Sequence, residues 1–325
     1  MTDKPFKTIS EQIEILKSRH LIFLDEVTAA QHLAAHGYYE IINGYKDTFL
    51  ESSSPDFFKE GTTFEDIFAL YYLDAKIRNA VMESLLFAES FLKQKLAYTL
   101  ADQHGPLLTE YLNSEVFDAG NPLPYSRPRS NLFSQRDLFF QKMHKIEYRN
   151  FEPFKHYRED NGNTPPWILI KGMDFGNLRT AIELLKTDDS DLLITRVMDS
   201  QLSDSLTKDE IKTTFYELIK MIHKYRNRAA HGGRVYNYFP DVGFTYNSVL
   251  YGRLNINEAD VASGKIKKTS LPLLYSALKM LQPNFSAYSL RNGITKAVTG
   301  YSQKWEHKKL DILNQMQADE SFISK

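Results

Sequence analysis

Residues 225–234 read YRNRAAHGGR and hold the side chains whose types and spacing best suit chemistry on a phosphodiester. A histidine at a helix C-terminus can exchange a proton near neutral pH, which makes His231 a candidate general acid or base. Arg226 would offset the extra negative charge of a pentavalent phosphate, and Asn227 would orient a hydroxyl or phosphate oxygen. On RNA the 2′-hydroxyl itself attacks the adjacent phosphate, so such a site needs neither a metal nor a protein nucleophile; DNA lacks that hydroxyl. The same residues also fit a plain helix terminus. Lys224, Arg226 and Arg228 complement the dipole, and His followed by Gly is an ordinary cap.

The spacing sets conditions on the fold. Arg226 and His231 are five residues apart, roughly 140° around an ideal helix. They converge only if the helix ends near Ala230 and Gly232–Gly233 turn the chain, or if two copies meet across an interface. The helix that carries them should begin at Thr207, where Glu210 three residues on completes a capping box. Phe215, Ile219 and Ile222 form one apolar row on it, and Arg226 is the next place on that row. A guanidinium at the edge of a buried stripe must find a partner.

The rest of the chain is helical in texture. A first helix is expected from Thr8, capped with Glu11, and a second after Asp25, ending at Gly37. The strongest pattern starts at Thr62, with Glu65 three residues on. Phe64, Ile67, Phe68, Tyr71, Ile77, Val81, Leu85, Ala88, Leu92 and Leu96 then recur at three- and four-residue steps until His104-Gly105-Pro106. Forty residues at 1.5 Å each make a rod of about 60 Å, kinked or serving as the pillar of a bundle. Residues 119–131, with three prolines, predict a loop; helices follow over SQRDLFFQKMHKIEYRN and DFGNLRTAIELLK. The Tyr-rich, alternating stretch at 235–256 predicts loops or a short hairpin, and 270–318 returns to helical spacing. The fold class is all-α, or mainly α with that small β excursion.

Composition bounds the function. The 325 residues carry 40 basic and 41 acidic side chains, so nucleic acid would have to be held by a local patch. There is no cysteine, which excludes disulfides, thiolate metal sites and cysteine nucleophiles and fits a reducing cytosol. The N-terminal residues read as an amphipathic helix rather than a signal peptide, and no stretch approaches the roughly 18 apolar residues of a membrane span. A cytoplasmic protein that does not enter membranes is expected. His32 and His36 lack an acidic ligand pattern and read as structural rather than metal-binding. The segment HKIEYRNFEPFKHYRED mixes basic and aromatic residues that could grip phosphates and stack bases, although an amphipathic helix and loop explain it as well. No G-x-S-x-G, P-loop or G-x-G-x-x-G is present.

Four segments in order resemble the Abi-D/Abi-F-like abortive-infection family of the HEPN superfamily. They are RNRAAH followed by GGRVYN, the N-terminal ISEQIEILKSRHLIFLDEVTAAQHLAAHGYYEIINGY, the long helix within LYYLDAKIRNAVMESLLFAESFLKQKLAYTLADQHG, and PPWILIKGMDFGNLRTAIELL. The resemblance covers roughly residues 8–240. It implies a HEPN-type helical core over 61–240, an N-terminal helical region over 1–60 and a C-terminal extension of unassigned role over 241–325. It further implies a homodimer whose Arg and His residues line a shared cleft, and an endoribonuclease needing no metal or cofactor. The setting it implies is phage defence or toxin–antitoxin control, with an antitoxin RNA or protein as partner. Arg226, Asn227 and His231 occupy the signature positions. Arg228, Arg234 and Tyr236 flank them as substrate contacts, and Asp74, Arg78 and Glu89 match supporting landmarks. Some HEPN toxins carry a tyrosine two residues after the histidine, where a partner nucleotidyltransferase modifies it; here that position is Gly233. A HEPN protein that binds RNA or a partner without cutting, and a helical scaffold in an unrelated assembly, are the other readings.

Overall fold

The computed structural model describes residues 5–123 and 134–324. Among them, ten helices of eight residues or more form the body: α1 (Ile9–Ser18), α2 (Glu26–His36), α3 (Phe64–His104), α4 (Gln135–Glu147), α5 (Phe175–Leu184), α6 (Thr187–Val197), α7 (Lys208–Ala230), α8 (Leu271–Leu278), α9 (Phe285–Trp305) and α10 (Lys309–Met316). The fold is mainly α. Short helical turns fill most of the connections.

The pillar is α3, 41 residues without a break. Its N-cap is Thr63, whose side chain accepts from the Asp66 amide while the Asp66 carboxylate accepts from Thr63 N–H. The expected pair of Thr62 and Glu65 is thus displaced by one residue. Glu65 instead turns outward and accepts from the backbone N–H groups of Leu24 and Asp25, tying the start of α2 to the pillar. The capping boxes at Thr8–Glu11 and Thr207–Glu210 form as expected.

The most extensive partner of α3 is α9, which runs antiparallel to it. A Cβ built on Gly293 would come within 2.4 Å of the Cβ of Ala80, so only glycine permits this approach. At one end of the pair the hydroxyl of Ser84 donates to the carbonyl of Ser286 (2.7 Å). At the other, Trp305 Nε1 donates to Asp66 (3.0 Å), which also pairs with Lys308 (2.6 Å). Within residues 241–324, α8, α9 and α10 contribute Leu274, Leu290, Ile294, Val298 and Leu313 to one continuous apolar cluster with α3 and α7.

The hairpin lies elsewhere than expected. The two strands are β1 (Leu50–Ser53) and β2 (Asp56–Phe58), antiparallel with Leu50 opposite Phe58 and Ser53 opposite Asp56. Residues 235–256 contain no strand. They form loops and one helical turn, Ser248–Gly252. The reason is that side chains of α7 take up polar groups a ladder partner would otherwise satisfy. Glu217 accepts from the amide and hydroxyl of Thr245 (2.9 and 2.7 Å), Tyr225 donates to the carbonyls of Tyr238 and Thr269, and Asn247 donates to Thr214. Of the loop expected at 119–131, residues 119–123 are irregular and 124–131 lie outside the described residues.

Candidate active site at the end of α7

Helix α7 buries Phe215, Leu218, Ile219, Ile222 and Tyr225 against α3 and the following loops. It ends at Ala230, as the spacing required, with His231 as its cap. Gly233 N–H donates to the Arg228 carbonyl (2.9 Å) and Gly232 N–H to that of Ala229 (3.2 Å), the pair of bonds that closes a Schellman terminus. Gly232 adopts φ +73°, the left-handed conformation this turn demands.

Arg226 finds its partner on the pillar. Its Nε lies 3.9 Å from Glu89 Oε2, too far for a hydrogen bond, and both atoms are buried with no hydrogen-bond partner among the described residues. The other oxygen of Glu89 is held by Lys93 at 2.8 Å. Arg226 is therefore aimed and charge-balanced while much of its donor capacity stays free. One turn earlier on α7, His223 accepts at Nδ1 from the Arg179 guanidinium (3.2 Å), which also pairs with Glu183 (2.9 Å). Burial and the positive charges of Arg179 and Arg226 hold His223 below the usual histidine range, so it is neutral at pH 7.

Asp74 is the anchor beneath the site. It is fully buried on α3, and its two oxygens divide the work. Oδ1 accepts from the backbone N–H groups of Val235 (2.9 Å) and Tyr236 (2.7 Å), and Oδ2 from Tyr45 Oη and Arg78, both at 2.6 Å. The chain leaving the His231 turn is thus clamped to the pillar. Burial and the adjoining carboxylate push the Tyr45 phenol far above its usual range, so the proton stays with Tyr45 in this bond.

The remaining expected site residues separate into two groups. His231 and Asn227 make no side-chain hydrogen bond or ion pair among the described residues, and His231 is exposed. No side-chain hydrogen bond joins His231 to Arg226 within one chain. Arg228 folds over the turn, donating to the carbonyl of Arg234 (3.1 Å) and lying over the Tyr238 ring. Arg234 reaches the N-terminal region, donating to the Gly44 carbonyl (2.7 Å) with Asp47 at 3.6 Å. Tyr236 is 2 % exposed and donates to Gln315 (2.9 Å); it holds α10 and has no face open to a substrate.

Sequence reasoning missed Tyr45, Lys93, Arg179 and His223. His223 was visible in principle, three residues before Arg226 on the same helix. The pairing of Asp74 with Tyr45 is a contact between distant elements that no local pattern encodes. His32 and His36 serve packing, with His32 stacked on Phe68 at 3.8 Å. The described residues contain no group of three or more His, Asp or Glu side chains that could hold a metal ion, and no helix long and apolar enough to cross a membrane. In the mixed basic and aromatic segment, Arg149 and Arg158 are spent on Phe154, Tyr148 and backbone carbonyls.

A mainly helical protein in which an Arg-x4-His helix end is clamped onto a long central helix is the class this fold and site define. The profile of the Abi-like protein family matches residues 31–237, and the chain belongs to that family. Membership points to abortive infection, a bacterial defence against phage. No curated protein and no solved structure matches the chain.

Proposed function

We propose that this protein is an endoribonuclease of the HEPN type that cuts RNA through attack by its 2′-hydroxyl, with His231 moving the proton, Arg226 facing the phosphate and Asn227 orienting the substrate. The observation that carries this reading is the state of Arg226: held near a buried carboxylate, with its Nε unbonded, at the end of a helix whose terminal histidine faces solvent. A structural arginine at such a buried edge would be expected to form full hydrogen bonds.

Within one chain no side-chain hydrogen bond joins Arg226 to His231, and the reading includes a homodimer in which two helix ends face each other. Leu86 and Trp167, 50 % and 45 % exposed, line a surface depression together with Glu89. An apolar surface adjoining the Arg226 partner supports an interface at this place. Lys220, Lys224 and Arg228 follow at four-residue steps on α7 and give a local basic row for RNA in a chain of net charge −1, with Lys224 paired to Asp241 (2.8 Å) and Arg228 drawn over Tyr238. An antitoxin RNA or protein covering this end would silence the activity.

The test is incubation of the purified protein with bulk cellular RNA in excess EDTA, wild type beside His231→Ala. Cleavage by wild type alone supports the reading. Equal cleavage by both removes His231 from the chemistry, and retention of RNA by both without cutting replaces the nuclease with a binding protein.

A further inference from the structure

A groove of about 660 Å³ lies between α2, α3 and α9. Its α3 wall runs from Phe64 to Glu83, roughly 28 Å at 1.5 Å per residue. A cleft of this volume with mostly apolar walls and a few polar groups has the size of a small-molecule site.

The walls are graded along this length. At one end stand Phe64, Phe68 with His32 stacked on it, and Trp305 stacked on Tyr301 at 5.5 Å. Burial and the neighbouring His36 hold His32 below the usual histidine range, so His32 adds no charge here at neutral pH. In the middle the wall drops to Ala69, Ala297 and Gly300. A Cβ on Gly300 would meet nothing within 4 Å, whereas Gly293 is needed for the approach to Ala80. Next come the charges. The antiparallel pairing of Ala80 with Gly293 brings Lys296 to the level of Lys76, one on each rim. Neither lysine has an ion-pair partner among the described residues, and Lys304, also unpaired, rims the aromatic end. Of the two carboxylates, Glu65 is occupied by backbone N–H groups and Glu83 lies two turns beyond Lys76.

We infer that this groove binds a small amphipathic acid, with its apolar body against the aromatic end and Gly300 and its anionic group between Lys76 and Lys296. From Phe68 to Lys76 is about 12 Å along the helix, the reach of a medium-length acyl chain. Lys76, whose ammonium lies 4.8 Å over the Tyr72 ring, and Lys296 line this groove without a carboxylate partner among the described residues, which favours an anion over a neutral or cationic ligand of the same shape. The inference does not depend on the ribonuclease reading, since none of its residues touches the α7 terminus.

The probe is decanoate, titrated calorimetrically into the full chain, with decyltrimethylammonium and decanol as controls. Saturable binding at one decanoate per chain is expected, at least tenfold tighter than decyltrimethylammonium. Gly300→Leu should weaken decanoate at least tenfold with an unchanged circular dichroism spectrum, because the added side chain enters open space. Lys76→Met with Lys296→Met should weaken decanoate by a similar factor and leave decanol unaffected. No saturable binding, equal binding of the cation, or Gly300→Leu binding as wild type would overturn the inference. Gly300-sensitive binding of an acidic helical peptide in place of decanoate would overturn it as well, in favour of a protein partner.

Discussion

Asp74→Asn is the substitution whose outcome the structure fixes most closely. The replacement is isosteric, and its Oδ1 can go on accepting from the amides of Val235 and Tyr236. The other atom becomes an NH₂ group facing two donors, Tyr45 Oη and the Arg78 guanidinium, that held Oδ2 at 2.6 Å. A fully buried cation left without its partner costs about 3–5 kcal/mol, and Arg78, part-buried, stands near the lower end. The Tyr45 hydroxyl loses a charge-assisted bond of about 1.5–3 kcal/mol, although the two losses overlap. A destabilisation of about 4 kcal/mol is therefore expected, read as a fall in the urea midpoint with little change in slope. Asp74→Ala also strands two buried N–H groups at about 1–3 kcal/mol each, enough to approach the whole stability of a domain. Tyr45→Phe removes two hydrogen bonds, the one donated to Asp74 and the one accepted from Arg78 (3.0 Å), but leaves the Asp74–Arg78 pair in place, and should cost about 1–3 kcal/mol. Amide exchange adds a local readout: protection at Val235 and Tyr236 should survive in Asp74→Asn and fall in Asp74→Ala. An Asn variant within about 1 kcal/mol of wild type would refute the role given to this carboxylate.

Further outcomes follow from the same geometry. Arg226→Ala should reduce RNA cleavage about 10²- to 10³-fold, the usual loss for one donor to a developing charge, while Glu89→Gln should cost roughly tenfold through loss of aim. Both are read as initial rates at matched protein concentration. Because the folded state depresses the protonation of His223, the unfolded chain binds more protons as pH falls through about 6.5, and stability contributed by neutral His223 is lost below that value. The melting temperature of wild type should thus drop between pH 7 and pH 5, and the drop should be shallower in His223→Gln. Gly232→Ala, in open space but at φ +73°, should lose about 1 kcal/mol from strain alone. Light scattering should give a dimer, and Leu86→Glu, beside the Arg226 partner, should shift it to monomer.

Much of this arrangement was legible in the sequence because it is written in local terms. Capping pairs at Thr8 and Thr207, the apolar row of Phe215, Ile219 and Ile222, and two glycines after His231 all act within a few residues. Helix α3 was evident from its repeat, yet its first residue was misplaced because Thr62–Glu65 and Thr63–Asp66 satisfy the same rule. Only the contact of Glu65 with Leu24 and Asp25 decides between them. Alternation at 235–256 misled for a related reason: Glu217 and Tyr225 of α7 satisfy polar groups there, and no local signal announces them. The packing of α9 on α3 rests on Gly293 meeting Ala80, two residues more than two hundred positions apart.

The central claim is tested most directly with an RNA oligonucleotide that the protein cuts at one position, compared with the same strand carrying a single 2′-deoxynucleotide there. Attack by the 2′-hydroxyl requires cleavage of the first strand to leave a 2′,3′-cyclic phosphate and a 5′-hydroxyl, and the deoxy strand to stay whole at that position. Cleavage of both strands at equal rates, or products ending in a 5′-phosphate, would contradict the account.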